Sequence, residues 1–349
     1  MRALRSPRRA TVLSLALGLG FVLAAHRRPA AAQPGQGLPQ GTAARASLAW
    51  PPPPAPPRIR FVRTLDPAIM RGRPSFFSKI WTVIAGGRDE PRMLQPYGIA
   101  IGPDGKVYVA DTVGRAIHVY DLAKPGYSTI RVNGESLVGV AYARGCLFVT
   151  DSASGRVLCL DTRGRTIWTL GRNAGFERPT GLVVAGDRLY VVDTMRHRVV
   201  ILSLASAILG SFGDHGGEPG QFNFPTNIAG RADGRLYVTD AMNFRIQVFD
   251  PDGRFVGAFG SLGDGSGDLD KPKGVAVDSS GHIYVVEGLS DVVQVFDESG
   301  KFLLAFGGSG SGDGQFWLPS GIAIADDMVY VADSANRRVQ MFEYLKVGQ

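Results

Sequence analysis

A closed ring of six four-stranded antiparallel sheets, an all-β six-bladed propeller, is the fold that this sequence of 349 residues predicts. Three observations carry it. One segment recurs six times. Its middle strands are apolar on both faces. A stray copy of the strand that closes a repeat stands ahead of the first one.

The six segments begin near residues 96, 137, 179, 225, 272 and 319. "PYGIAIGPDGKVYVADTVGRAIHVYD" (96–121), "PTNIAGRADGRLYVTDAMNFRIQVFD" (225–250) and "PSGIAIADDMVYVADSANRRVQMFE" (319–343) show the pattern well. Aligned Gly98, Gly139, Gly181, Asn227, Gly274 and Gly321 are 41 to 47 residues apart. A repeat of that length marks a stacked or radial architecture. Each copy reads as four short strands, rich in β-branched and aromatic residues and separated by turns such as "PDG" and "ESG". Strands like "VYVAD" are apolar on both faces, so their sheet needs a neighbour on each side. Four-stranded sheets packed in that way close into a propeller.

The elements follow in chain order. Residues 1–32 hold six arginines and no acid around the apolar run 10–25, and "AAA" at 30–32 suits cleavage before Gln33. They predict an export signal, with an uncleaved anchor as the alternative, and a periplasmic or extracellular protein. "LAAH" (23–26) has His26 where a lipidated cysteine would stand, so no lipid anchor is expected. Residues 33–57, ending "WPPPPAPP", cannot build a core and read as a stiff, disordered tether. The propeller spans 58–345. "RIRFVRTL" (58–65) resembles the closing strands "GRFVGAFG" and "GKFLLAFG", and the sixth copy has only three strands. The early strand is therefore expected to complete the last blade and latch the ring, because an open edge invites association. Residues 75–86 carry Phe76, Phe77, Ile80, Trp81 and Ile84 at helical spacing and predict an inserted helix.

As a set, the copies resemble the NHL repeat of six-bladed propellers of the exported bacterial type, over about 290 of 349 residues. Ala116, Val292 and Glu287 depart from its recurring arginine and aspartate. Members of that class serve as binding discs, as RNA binders and as metal-dependent lyases or lactonases, and all of these enter as expectations.

The net charge of +7 falls to 7 − 6 = +1 without the leader, which argues against a nucleic-acid partner. Asp111, Asp151, Asp193, Asp240 and Asp333 recur, and repetition points to a structural role: each is expected to cap the next turn and pair with its blade's arginine. Phe176, Phe222 and Phe316 are expected to wedge between blades. Loops between second and third strands share one end of the ring with the blade-to-blade loops. There the residues that break the repeat are Met195, Arg196, His197, Met242, Phe244 and Trp317, with Asp214, His215, Glu287 and Asp291. The first six make a candidate surface for a protein or peptide partner.

Metal chemistry needs several ligands and an open position. His197, Glu287 and Asn227 are the candidates for a single divalent cation, the first in a lyase-like and the other two in a lactonase-like arrangement. His215 stands isolated, His118 falls within a third strand, and His282 reads as a surface residue. No full ligand set emerges, so no cofactor and no catalytic residue are expected. Cys146 and Cys159 flank one hairpin turn, and a disulfide and a free buried thiol are both open. The expectation is an exported, monomeric, non-catalytic binding or scaffold module. A metal-dependent propeller enzyme is the alternative.

Overall fold

A computed structural model describes residues 48–65, 67, 92–103 and 105–346. The expected export leader, the start of the expected tether and the expected helix 75–86 lie outside the described residues.

Six antiparallel sheets form the blades, five of them with their strands in sequence order from axis to rim. Blade 1 runs Pro96–Ile101, Lys106–Asp111, Ala116–Asp121 and Gly126–Arg131. Blades 2 to 5 repeat it, with innermost strands Leu137–Ala143, Pro179–Ala185, Pro225–Gly230 and Pro272–Val277. Blade 6 takes Pro319–Ala325, Met328–Asp333 and Arg338–Tyr344 from the C-terminus and Ile59–Leu65 from the N-terminus. Ile59 lies opposite Tyr344 and Leu65 opposite Val339 in an antiparallel ladder. The latch read from the sequence is thus in place.

The Pro-rich stretch does not stay clear of the ring. Ala49–Trp50 adds a fifth strand against Ile59 and Arg60. Trp50 packs its ring 6.1 Å from Phe306 and 5.9 Å from Phe342. Prolines prevent regular pairing, but this one tryptophan has enough apolar area to anchor the end of the tether.

Strands that are apolar on both faces are buried on both faces. Val107, Val109, Leu147, Val149, Leu189 and Val191 are fully enclosed. One core cluster joins blades 1 and 2 and another joins blades 3 and 4. Phe222 sits fully buried in the second of these, 5.4 Å from Phe249 and 6.3 Å from Phe212. It is the expected wedge, and burying such a ring contributes about 2–3 kcal/mol.

At the axis the innermost strands surround a channel of about 330 Å³. They converge at the aligned glycines. A Cβ on Gly98 would meet Val138 O at 2.5 Å, and one on Gly274 would meet Ser320 O at 2.5 Å. Asn227 is the one non-glycine of this ring. Its Oδ1 accepts the N–H of Ile228 at 2.8 Å while the residue lines the channel.

Cys146 and Cys159 are joined in a disulfide across the second and third strands of blade 2. Cys159 lies opposite Phe148 and Cys146 opposite Asp161, so the pair is diagonal, with Cα atoms 6.0 Å apart. That separation suits a bridge. Among the described residues no helix is long and apolar enough to cross a membrane.

Candidate functional site at the loop-rich end

Chain direction places two sets of loops at one end of the ring: the blade-to-blade loops and the turns between second and third strands. The repeated carboxylates end the second strands there. Each reaches back to the loop that enters its own blade. Asp111 accepts from Leu94 N at 2.6 Å and Gln95 N at 3.0 Å. Asp151 accepts from Ser136 N at 3.0 Å, Asp193 from Arg178 N at 2.8 Å, Asp240 from Asn223 N at 2.6 Å and Asp333 from Trp317 N at 2.8 Å. Arginine pairing, expected from the sequence, holds at Arg156 (2.7 Å), Arg245 (2.9 Å) and Arg338 (2.7 Å). Arg198 stays 3.9 Å from Asp193, whose pKa is raised, chiefly by burial. The turn that follows also donates to three of them: Asp111 accepts from Gly114 N at 2.7 Å, Asp240 from Asn243 Nδ2 at 2.9 Å and Asp333 from Asn336 Nδ2 at 2.9 Å. These groups hold loops in place, and their hydrogen bonds are committed to the fold.

Glu287 fills this position in blade 5. It is 1% exposed. One oxygen, Oε2, accepts from Lys271 N at 2.9 Å and Asp270 N at 3.2 Å. The other, Oε1, is buried without a partner among the described residues. Val292 stands where an arginine would answer it. Burial pushes its pKa up to about 7, against the pull of the two N–H groups.

His197 and Asp291 occupy the same position in blades 3 and 5, each with left-handed φ. Their roles match as well. His197 Nδ1 accepts from Phe224 N at 3.1 Å, and Asp291 Oδ1 accepts from Leu318 N at 2.7 Å. Both residues clasp the N–H just before the next blade's first proline. Desolvation and the nearby His215 hold the His197 pKa below its ordinary value. His215 is not isolated: its ring centroid lies 4.4 Å from that of His197, which in turn lies 4.6 Å from that of Phe224. The blade-3-to-4 loop folds back through the bridge of His215 with Phe222, a return that spacing along the chain does not reveal. His118 is buried between Asp111 Oδ2 (3.0 Å) and Tyr127 OH (2.6 Å). His282 is half-buried rather than a free surface residue, with Nδ1 2.8 Å from Asp278 Oδ2.

Sequence reading thus named His197, Glu287 and Asn227 as metal candidates, and each accepts a backbone N–H. They stand on blades 3, 5 and 4, the last in the channel. Among the described residues no group of three or more His, Cys, Asp or Glu is placed to hold a metal ion.

The apolar candidates fare differently. Met195, Met242 and Trp317 are exposed, Met242 by 53% and Trp317 by 57%. Arg196 is exposed and pairs with Glu177 at 3.2 Å. Phe244 is half-buried and closes a short 3-10 turn with left-handed φ. The structure adds four residues that the sequence reading missed. Val113 (55%) and Leu289 (58%) lie two residues past the carboxylate, the position of Met195 and Met242. Phe224 and Leu318 flank the blade starts. The signal was present in the alignment: an apolar residue recurs at one turn position in four blades.

Comparison with known proteins follows this geometry. A family model described as "6-bladed beta-propeller" matches residues 222–294. Solved structures agree on the fold. A gluconolactonase from Xanthomonas campestris is 20% identical, with a TM-score of 0.59 over 73% of this chain and 88% of its own. A catalytically inactive virginiamycin B lyase from Staphylococcus aureus, solved with quinupristin, is 13% identical, with a TM-score of 0.55 over 73% of this chain and 96% of its own. A chain of the nidogen–laminin complex is 19% identical, with a TM-score of 0.52 over 68% of this chain and 86% of its own. No curated protein matches. At such identities the likeness establishes the architecture alone: the chain is a six-bladed β-propeller.

Proposed function

We propose that this NHL-like propeller is an exported, non-catalytic disc that binds a protein or peptide partner through its loop-rich end. One observation carries the reading. Val113, Met195, Met242 and Leu289 recur, exposed, at one turn position of four blades, and Trp317 and Leu318 stand at the same end. Apolar and aromatic residues clustered on loops over a rigid frame suit macromolecular recognition. Export is supported by the composition of residues 1–32 and by the disulfide, which oxidising compartments favour.

A metal-dependent lyase or lactonase is the second reading, and its support is the pair of neighbouring enzymes. It would require His197, Glu287 or Asn227 to give up a backbone contact. Two measurements separate the readings. Met242→Asp with Trp317→Asp should abolish capture of a partner from an envelope extract while leaving the melting temperature unchanged; retained capture by the double variant would refute the disc reading. Elemental analysis of the dialysed protein should find less than a tenth of an equivalent of zinc or calcium. One equivalent, lost on changing His197 or Glu287, would favour the enzyme.

A further inference from the structure

In three blades a small hydroxyl side chain closes the loop-rich end of the seam, and in two of them a second one supports it. The residue after the repeated carboxylate donates to the first residue of the next blade: Thr112 Oγ1 to Leu137 O at 2.8 Å, Thr194 Oγ1 to Pro225 O at 2.7 Å and Ser334 Oγ to Pro96 O at 2.6 Å. The residue after the blade's first proline supports it, Thr180 against Thr194 at 2.8 Å and Ser320 against Ser334 at 2.6 Å. In blade 5 these two positions hold Lys273 and Gly288. The two changes fit each other. A Cβ on Gly288 would lie 2.8 Å from both Cδ and Nζ of Lys273, so the glycine makes the slot in which the lysine lies.

The amine in that slot is unpaired. Among the described residues Lys273 Nζ has neither a hydrogen bond nor an ion pair. Three charged groups act on it: Lys271 from the same strand's entering loop, Asp291 from the following turn and Glu287 from the second strand. Neither acid has turned to meet it. Asp291 spends its oxygens on Leu318 N and on Ser309 Oγ at 2.8 Å, and Glu287 is held by Asp270 N and Lys271 N. Desolvation, with the positive charge of Lys271, lowers the Lys273 pKa to about 8. Glu287 Oε1, buried and unpartnered, is a second unused polar atom of the same blade end.

We propose that Lys273 is a covalent capture site for a small aldehyde at the loop-rich end of the ring. Its neutral amine attacks the carbonyl carbon, so that an N–C bond forms while the C=O π pair moves to oxygen and takes a proton. Nitrogen gives up one proton and the hydroxyl takes a second; the C–O bond breaks as the nitrogen lone pair forms C=N, water leaves, and loss of the remaining N–H proton leaves the imine. No oxidant or reductant enters. A desolvated lysine beside another cation is the usual means of activating an amine for this step. The site is independent of the apolar surface proposed above.

The full chain should be treated at pH 7 with dilute propanal and cyanoborohydride, which fixes the imine as a propyl amine, and mapped by peptide mass. Exposed Lys271, two residues away, is the internal standard. An amine whose pKa is lowered to about 8 has a much larger neutral fraction at pH 7 than an ordinary lysine side chain. Lys273 should therefore label at least about ten-fold faster than Lys271, with an initial rate that levels off above pH 8. K273R should melt like the parent and lose the fast label. Equal labelling of the two lysines, or faster labelling of Lys271, would overturn the proposal. A fast label that persists in K273R would do so as well.

Discussion

Glu287 shows how one residue can weaken a repeated device. In five blades the carboxylate at the end of the second strand is an aspartate, and in three of those an arginine lies within 3 Å of it. Glu287 keeps the backbone bonds but loses the arginine, and one oxygen has no partner. Its pKa near 7 lies above the unfolded carboxylate value of 4.5. Ionisation is therefore disfavoured in the folded state. Stability should fall as pH rises from about 4.5 to about 7 and stay lower above that window. A shift of this size corresponds to an upper figure of roughly 3 kcal/mol. Glu287→Gln should remove that slope: denaturant titrations at pH 5 and pH 8 should differ less in the variant, which gains on the parent mainly at pH 8. A variant no more stable than the parent at pH 8 would contradict the argument. His197 has the opposite sense. Its pKa is lowered, so its clasp on Phe224 should weaken as pH falls below about 6.5. His197→Gln, which can still accept that N–H, should flatten the acid side of the melting curve.

At the scale of the element, the hairpin of blade 2 was legible except in its chemistry. Alternation and turn residues placed Cys146 and Cys159 on one hairpin, but not its pairing register, and register decides whether two sulfurs meet. With Cys159 opposite Phe148, they do. Closing a loop of this length contributes about 3 kcal/mol. Unreduced, denatured protein should show no free thiol by titration, and Cys146→Ala with Cys159→Ala should lower stability by roughly that amount; two titratable thiols in the parent would exclude the bridge. Other elements divide in the same way. Strand positions and the latch follow from local pattern, because burial on both faces writes itself into the composition of each strand. The clasps of His197 and Asp291 and the approach of His215 depend on contacts between blades, which no local pattern contains; the slot of Lys273 depends on a contact between two strands of one blade. Phe244 differs for a related reason: its place in a loop suggested exposure, but it is half-buried.

For the whole molecule the decisive contact is between the two ends of the described chain. Each blade is held by neighbours on both sides, so the ring is only as firm as its closure. Ile59 and Leu65, at the two ends of the latch, are buried in two different clusters, the first with Phe306, Phe316 and Phe342, the second with Val109, Val339 and Met341. A single strand thus fills the cores on both sides of blade 6. Removing residues 48–65 would expose the edge of Arg338–Tyr344 and leave both cores short of a side chain. Two fully buried aliphatic groups account for about 3–6 kcal/mol, before any loss of ladder hydrogen bonds. The truncated chain should melt well below the parent and elute as larger species, because an unpaired apolar edge recruits other edges. A synthetic peptide of residues 48–65 should restore the monomer and raise the melting temperature with the logarithm of its concentration. If the peptide has no effect, or the truncated chain remains a monomer of parental stability, the closure of the ring does not depend on this strand.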